Sequence, residues 1–218
     1  MKSIMYNEHF GLESATLNGS KIRTMRDELN QNKKHSEEKM EFINLINDEE
    51  CYFELSFDGL NCFNLNCNDG LIHEFKTKYK VGEIVAIKQS YMRCGYIPDS
   101  KIGWAYDEND NRIDILFKDV AGWRNKMFVK SSLMPHQIQI TDIKLEHPQD
   151  MSDDDCINEG IIPQFRPQSM RTLFYYGEGE NYFYTPREAF SVLIDKICGK
   201  GTWNKNEYHV VYYYKLIK

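Results

Sequence analysis

A short basic segment near the start of the chain carries the residue types best suited to chemistry. Lys21, Arg23, Thr24 and Arg26 follow closely after Gly19. A threonine hydroxyl becomes a nucleophile when a nearby base accepts its proton, and a lysine can be that base if burial lowers its pKa. The arginines could neutralise a developing oxyanion or a phosphate. Taken alone, the same residues would also suit a solvated strand edge.

His136 is a second candidate, because it directly follows Met134-Pro135. An imidazole could bind a ligand or transfer a proton near neutral pH. A single histidine without an identifiable partner is, however, more often structural.

Aromatic side chains form a third set of candidates, because ring faces can stack on nucleic-acid bases. Packing in the core or across strands is the favoured alternative, since such pairs also stabilise sheets. The set consists of Trp104, Trp123, Tyr175, Tyr176, Tyr182 and Tyr184.

No metal site is predicted. The cysteines lack the CxxC or CxxH spacing of zinc sites, which predicts free and mostly buried thiols. They are Cys51, Cys62, Cys67, Cys94, Cys156 and Cys198. Asp153, Asp154 and Asp155 are consecutive and point in different directions, so we interpret them as the acidic first turn of a helix.

Length and charge limit the class of protein. The chain has 218 residues and a net charge of −6, which makes it long enough for one domain and too acidic to hold long DNA or RNA. A local pocket for one nucleotide is compatible with this charge. No run approaches the roughly 18 to 20 apolar residues of a membrane helix, and the first residues lack a signal peptide's apolar centre. We therefore expect a cytoplasmic protein with no membrane partner and no cofactor.

The elements that must position these side chains are mostly short strands. Alternating or β-branched runs predict strands at 51–57, 63–67, 84–89, 127–129, 136–146 and 208–217, and a hairpin within 170–184. The apolar positions of the strand at 136–146 change parity near Thr141-Asp142, which indicates a β-bulge or bend. The residues 107–111 are predicted to form an exposed turn.

Caps and glycines mark the helices. They are predicted at 11–19, before Asn47, at 152–160 and at 185–199. In the last of these, Thr185 is the cap and Phe190, Leu193 and Ile197 share one face. Strands with several short helices between them predict an α+β fold.

Two separated segments resemble proteins of the ASCH family, in particular the longer type found in bacterial genomes, phages and mobile elements. The first runs from Gly19 to Arg26 and is similar to the family's early G-x-K-x-x-[TE]-x-R signature. The second begins at Asn125-Lys126-Met127-Phe128 and passes Met134-Pro135 and a strand with Thr141-Asp142. It continues into the S-x-x-D-x-x-x-E-G pattern that ends at Gly160.

This resemblance implies a PUA-like fold, in which a small β-barrel carries several short helices. It also implies a single domain over residues 1–218, with family-variable insertions near 30–70 and 170–184. Small members of the family hydrolyse the acetyl amide of an acetylated cytidine with a lysine, a threonine and a glutamate. The lysine and the threonine fall on Lys21 and Thr24.

The family's glutamate is expected at the end of the strand at 84–89, where this chain has Gln89. A glutamine can orient a group through hydrogen bonds, but it cannot accept a proton as a carboxylate does. The glutamine therefore predicts weak or absent hydrolysis, unless another carboxylate such as Glu74 or Glu83 takes its place.

Three hypotheses about function follow. The leading one is a nucleotide- or RNA-recognising module whose basic cleft is lined by Lys21, Arg23, Arg26, Gln89 and His136. The second is an amidohydrolase acting on an acetylated cytidine or a related modified nucleoside, with Lys21 and Thr24 as catalytic residues. The third is a protein-interaction role in a mobile-element context, through the aromatic hairpin. A carboxylate beside Lys21 would favour the enzyme, and an open basic groove would favour the module.

Overall fold

The computed structural model describes most of the chain. The described residues are 1–29, 36–48, 53–68, 70–94, 105–106, 112–113, 121–177 and 181–217. The predicted turn at 107–111, Trp104 and Cys51 lie outside them.

Helices and strands both contribute to the described residues, which confirms the α+β class. The helices are α1 (Leu12–Leu17), α2 (Glu37–Ile46), α3 (Tyr91–Cys94), α4 (Asp153–Asn158), α5 (Pro186–Cys198) and α6 (Thr202–Lys205). The strands are β1 (Ser3–Ile4), β2 (Arg23–Arg26), β3 (Phe53–Phe57), β4 (Cys62–Cys67), β5 (Ile72–Lys76), β6 (Ile84–Ile87), β7 (Ala105–Tyr106), β8 (Arg112–Ile113), β9 (Gln137–Glu146), β10 (Ile162–Arg166), β11 (Arg171–Tyr175) and β12 (His209–Leu216).

The chain divides into two compact units, and the first consists of residues 1–6, 84–138 and 217–218. In this unit β1 pairs in parallel with β6. A small apolar core surrounds the second of these strands. Its buried members are Ala86, Tyr91, Trp123, Val129 and Met134.

The second unit consists of residues 7–83 and 139–216. Here β12 lies between β9 and β2, and it pairs antiparallel with β2 so that Arg23 is opposite Tyr213 and Thr24 is opposite Tyr212. The strands β3, β4 and β5 form an antiparallel meander, and β10 pairs with β11. These pairings fix which side chains of β2 face which side of the sheet.

The helices with strong sequence signals form where their caps predict. In α4 and α5 the cap hydroxyl accepts a hydrogen bond from the third backbone N–H, and the third residue's carboxylate accepts one from the cap N–H. The cap residues are Ser152 and Thr185. Ile194 is buried on α5 beside Phe190 and Leu193, whereas Ile197 is 44% exposed. Ile197 keeps the spacing of the predicted face, but it lies near the end of α5 and is exposed, and Ile194 extends the buried stripe instead.

The predicted strand at 127–129 is wrong. Residues Lys126–Phe128 form a 3₁₀ turn whose cap, Asn125, accepts a hydrogen bond from the N–H of Met127 through its side chain. This local bond offers the backbone an alternative to a strand ladder. Met127 and Phe128 are consequently exposed, and only Val129 is buried.

Of the predicted aromatic hairpin, the structure shows a single pair of bridged residues. Phe174 and Phe183 exchange two backbone hydrogen bonds in a single antiparallel bridge. The full ladder of β11 is made with β10 instead, from Ile162 opposite Tyr175 to Arg166 opposite Arg171.

The change of parity in β9 is confirmed. Ile138 and Ile140 are buried, then the pattern moves to Ile143 across the exposed Thr141. No closed barrel is detected among the described strands, so the PUA-like barrel stays a prediction, as does the single domain. None of the helices in the described ranges is long and apolar enough to cross a membrane.

Candidate functional site

Lys21 and Arg23 are positioned by the turn that joins α1 to β2. After α1 the chain turns at Gly19, and the N–H of Lys21 donates to the carbonyl of Ala15. The N–H of Ile22 then donates to the carbonyl of Asn158 at the end of α4. These two bonds tie the start of β2 to both short helices.

Glu159 reaches Lys21 from the end of α4. Its N–H donates to the carbonyl of Asp155, and Gly160 follows with a φ of 110°. A Cβ at Gly160 would lie 2.9 Å from Leu12 Cδ2 and 3.6 Å from Lys21 Cδ. A glycine is required here both for the positive φ and for the close approach of the lysine stem.

Lys21 and Glu159 form a buried ion pair. Lys21 Nζ donates to Glu159 Oε2 at 2.6 Å and to the carbonyl of Glu159 at 2.6 Å. The side chains are 1% and 6% exposed. Burial lowers the pKa of Lys21 to about 8, although the negative charge of Glu159 opposes this shift. A lysine with such a pKa can lose and regain a proton near neutral pH.

Arg23 contacts Glu159 and two further carboxylates. Its guanidinium donates to Glu146 at 2.6 Å and to Asp155, and its Nε lies 3.5 Å from Glu159 Oε1. Burial alone would lower the pKa of Arg23, but the charges of Glu159 and Glu146 outweigh it and raise that pKa. Tyr213 contacts the same guanidinium through its hydroxyl, at 3.1 Å, and its ring.

We call Lys21, Arg23, Glu146, Asp155 and Glu159 the Arg23 cluster. Two cations face three carboxylates, so the cluster has a formal charge of −1. Both cations are almost fully buried. The expectation of an exposed basic cleft at these two residues is therefore corrected: a neutralised and buried cation has little attraction left for a phosphate.

Thr24 lies on the other face of β2. Arg23 and its partner Tyr213 face the cluster, and successive side chains of a strand point to opposite sides. Thr24 therefore shares the side of Tyr212, whose hydroxyl donates to Glu28. Arg26, two residues beyond Thr24, lies on that same side.

Gln89 and His136 meet in the first unit. His136 Nδ1 donates to Gln89 Oε1 at 2.5 Å, and the N–H of Gln89 lies 3.3 Å from the sulfur of Met134. Gln89 is buried. The sequence offered no partner for His136, and the structure places the side-chain amide of Gln89 beside it.

The sequence offered Glu74 or Glu83 as possible replacements for the family's glutamate, whereas the carboxylate that contacts Lys21 is Glu159. Glu74 forms an ion pair with Lys76 on β5, and the carboxylate of Glu83 accepts a hydrogen bond from the N–H of Lys80. The signal for Glu159 was present in the S-x-x-D-x-x-x-E-G pattern, where the Asp and the Glu are four residues apart and so lie on one face of a helix. Glu146 and Tyr213 had no such signal.

The remaining aromatic candidates differ in burial. Trp123 and Tyr176 are buried, whereas Tyr184 is 70% exposed. Tyr182 lies against Tyr175 with 5.6 Å between centroids and 56° between the ring planes. Within the described ranges, no group of three or more His, Cys, Asp or Glu side chains could hold a metal. Of the described cysteines, Cys62 and Cys156 are buried and the other three are half-buried, so the expectation of mostly buried thiols holds only for these two.

Comparison with known proteins identified no relative. No family model, no curated protein and no solved structure matches this chain.

Proposed function

We propose that the chain is a hydrolase of a small amide, an acetylated cytidine or a related modified nucleoside, with Lys21 and Glu159 as its acid–base pair. The observation that supports this most is the 2.6 Å contact between two nearly buried ionisable groups. The substrate class comes from the resemblance of the segments at 19–26 and 125–161 to the ASCH family. The same resemblance is the basis for proposing a PUA-like barrel.

Lys21 is the general base. With a pKa of about 8, roughly a tenth of Lys21 is neutral at pH 7 and able to accept a proton. The proton comes from a water molecule as its oxygen attacks the acetyl carbonyl. The C–O bond forms, the C–N bond breaks, and Lys21 returns the proton to the leaving nitrogen, so the products are acetate and the free amine.

Glu159 holds Lys21 in position and stabilises its protonated form. This is the role that a carboxylate has beside the base of a catalytic triad. The charges of Glu159 and Glu146 raise the pKa of Arg23, so Arg23 stays positively charged during the reaction.

The nucleophile is water rather than Thr24. The threonine faces the Tyr212 side of β2, away from the side on which Arg23 meets Glu159. We prefer this enzyme to the nucleotide-recognising module because Lys21 and Arg23 are buried among carboxylates, which is the arrangement of an acid–base centre rather than of a phosphate site.

The test is turnover of N4-acetylcytidine, followed by chromatographic separation of cytidine. We expect Lys21→Ala to lower kcat at least about 100-fold, since a positioned base typically contributes about 10²- to 10⁴-fold. Glu159→Gln should lower it by less, because the base remains. Thr24→Ala should retain turnover. The matched control is Lys76→Ala, since this lysine is 68% exposed.

Two outcomes would overturn the proposal. One is no turnover by the wild type of acetylated cytidine or of any other acylated nucleoside tested. The other is turnover that Lys21→Ala leaves intact. If a normally folded Thr24→Ala variant lost turnover, the nucleophile would be Thr24 rather than water.

A further inference from the structure

A second polar site lies in the second unit, around Tyr208. It is a cleft of about 700 Å³, within the range of small-molecule sites. We call it the Tyr208 cleft. Its lining residues are Ile46, Asn47, Asp48, Phe53, His147, Gln149, Asn204, Lys205, Asn206, Glu207 and Tyr208.

The aromatic wall of the Tyr208 cleft is a pair of closely packed, tilted rings. The centroids of His147 and Tyr208 are 3.7 Å apart, with 35° between the ring planes. His147 Nδ1 donates to the carbonyl of Asn206 at 2.5 Å. In the neutral imidazole this fixes the tautomer and makes Nε2 an acceptor. The wall therefore offers both a π surface and a hydrogen-bond acceptor.

Side-chain amides hold the rest of the lining in place. Asn206 has a φ of 51°, and its Oδ1 accepts a hydrogen bond from the N–H of Gln149 at 2.9 Å. Gln149 Nε2 donates to the carbonyl of Trp203 at 2.8 Å, and the N–H of Tyr208 donates to Asn47 Oδ1 at 3.2 Å. A non-glycine residue with positive φ persists where its surroundings fix it, and such positions cluster at functional sites.

The charges of the Tyr208 cleft do not suit a phosphate. Among its described lining residues, Asp48 and Glu207 face one lysine, Lys205, and these three carry a formal charge of −1. A phosphate in this field would be repelled. Nor does the lining suit a metal, since the described His, Cys, Asp and Glu residues form no group of three that could hold one.

We propose that the Tyr208 cleft binds an uncharged nucleobase or nucleoside. Aromatic faces stack on planar heterocycles, and side-chain amides and an imidazole can hydrogen-bond to their donor and acceptor edge. The closely packed rings, the fixed amides and the slight negative charge of the described lining residues together favour a neutral planar ligand over its phosphorylated form. This inference does not require Lys21 to be catalytic.

The experiment is calorimetric titration of the full chain with adenosine, guanosine, cytidine and uridine, and with their 5′-monophosphates. We expect at least one nucleoside to bind, and its monophosphate to bind more weakly. Tyr208→Ala should weaken nucleoside binding about 10-fold or more, the typical effect of losing one base-stacking ring. Tyr208→Phe should retain binding, because the ring stays.

Two control variants distinguish the Tyr208 cleft from exposed tyrosines elsewhere and from the Arg23 cluster. Tyr184→Ala removes a tyrosine that is 70% exposed and outside the cleft, so it should leave affinity unchanged. Binding that is lost in Lys21→Ala but kept in a folded Tyr208→Ala would assign the nucleoside to the Arg23 cluster and overturn this inference. No binding of any nucleoside, or tighter binding of the monophosphates, would overturn it too.

Discussion

The Arg23 cluster and the Tyr208 cleft are built on consecutive residues of one strand end. Glu146 closes β9 and accepts hydrogen bonds from Arg23 and Tyr213. His147, the next residue, packs its ring against that of Tyr208. Because successive side chains in extended chain point to opposite sides, one step along the backbone separates an ionic site from an amide-lined one.

The difference between the two sites lies in how each satisfies its polar groups. The cluster pairs buried charges with one another, and its two cations are 1% and 0% exposed. The cleft uses neutral amides and a carbonyl-bound imidazole, and it remains open to a ligand. Burial shifts the pKa of an ionisable group, which suits acid–base chemistry. The amides and the imidazole of an open cleft suit the recognition of a ligand instead.

The largest effect should come from removing Arg23. Arg23→Ala would leave Glu146, Asp155 and Glu159 close together without their shared cation. Removing one partner of a buried ion pair typically costs about 3–5 kcal/mol, and we expect a loss of that size in the free energy of unfolding. Urea denaturation measures it, with the exposed Arg171→Ala as control.

A loss below about 1 kcal/mol would show that the cluster is no more than a set of surface ion pairs. Arg23→Ala should not change nucleoside binding at the Tyr208 cleft. If the two sites are independent, the folded variant should bind nucleosides with the affinity of the wild type.

The pH dependence of stability should reveal Lys21. Its pKa is about 8 in the folded chain and 10.5 ordinarily, so between these values the unfolded chain binds more protons than the folded one. Unfolding free energy must then rise with pH across this window. Relative to Lys21→Met, the wild type should gain up to about 3 kcal/mol between pH 8 and 10.5.

Taking the difference from Lys21→Met cancels other groups that titrate at high pH, such as Tyr213. Urea melts at several pH values provide the measurement. A flat or falling difference across the window would mean that Lys21 keeps its ordinary pKa when folded.

Sequence reasoning was most successful where the determinants are local. The caps of α4 and α5 lie three residues from the groups that they bond, and both were predicted. Lys21 and Glu159 are 138 positions apart, so no local pattern places them together. The segment at 127–129 was predicted wrongly for a local reason. The side chain of Asn125 accepts a hydrogen bond from the N–H of Met127, and this bond overrides the strand propensity of the segment.

The Tyr208 cleft was beyond sequence reasoning for the same reason. His147 and Asn206 are 59 positions apart, and neither belongs to a recognisable motif. Their meeting depends on the end of β9 lying beside the turn that precedes β12, which periodicity does not specify. The basic residues around Lys21 indicated chemistry from their types alone. His147 and the amide side chains of the cleft gave no such indication in the sequence.

The smallest effect should come from Gly160→Ala, which tests how closely Lys21 is packed. A side chain at a φ of 110° is strained, and the added Cβ would lie 2.9 Å from Leu12 Cδ2. Strain at a positive φ costs about 1–3 kcal/mol. The control is Gly199→Ala, whose φ of 120° is similar but whose Cβ would meet nothing within 4 Å.

Both variants should lose stability through the backbone, and Gly160→Ala should lose about 1 kcal/mol more through overpacking against Leu12. Thermal denaturation of the two variants side by side measures that difference. Because the same Cβ would contact the stem of Lys21 at 3.6 Å, Gly160→Ala should also lower turnover of N4-acetylcytidine if the proposed function is correct, whereas nucleoside binding at the Tyr208 cleft should not change. Equal stability of the two variants would mean that Leu12 and Lys21 move aside without cost, and the close packing inferred for the Arg23 cluster would then be wrong.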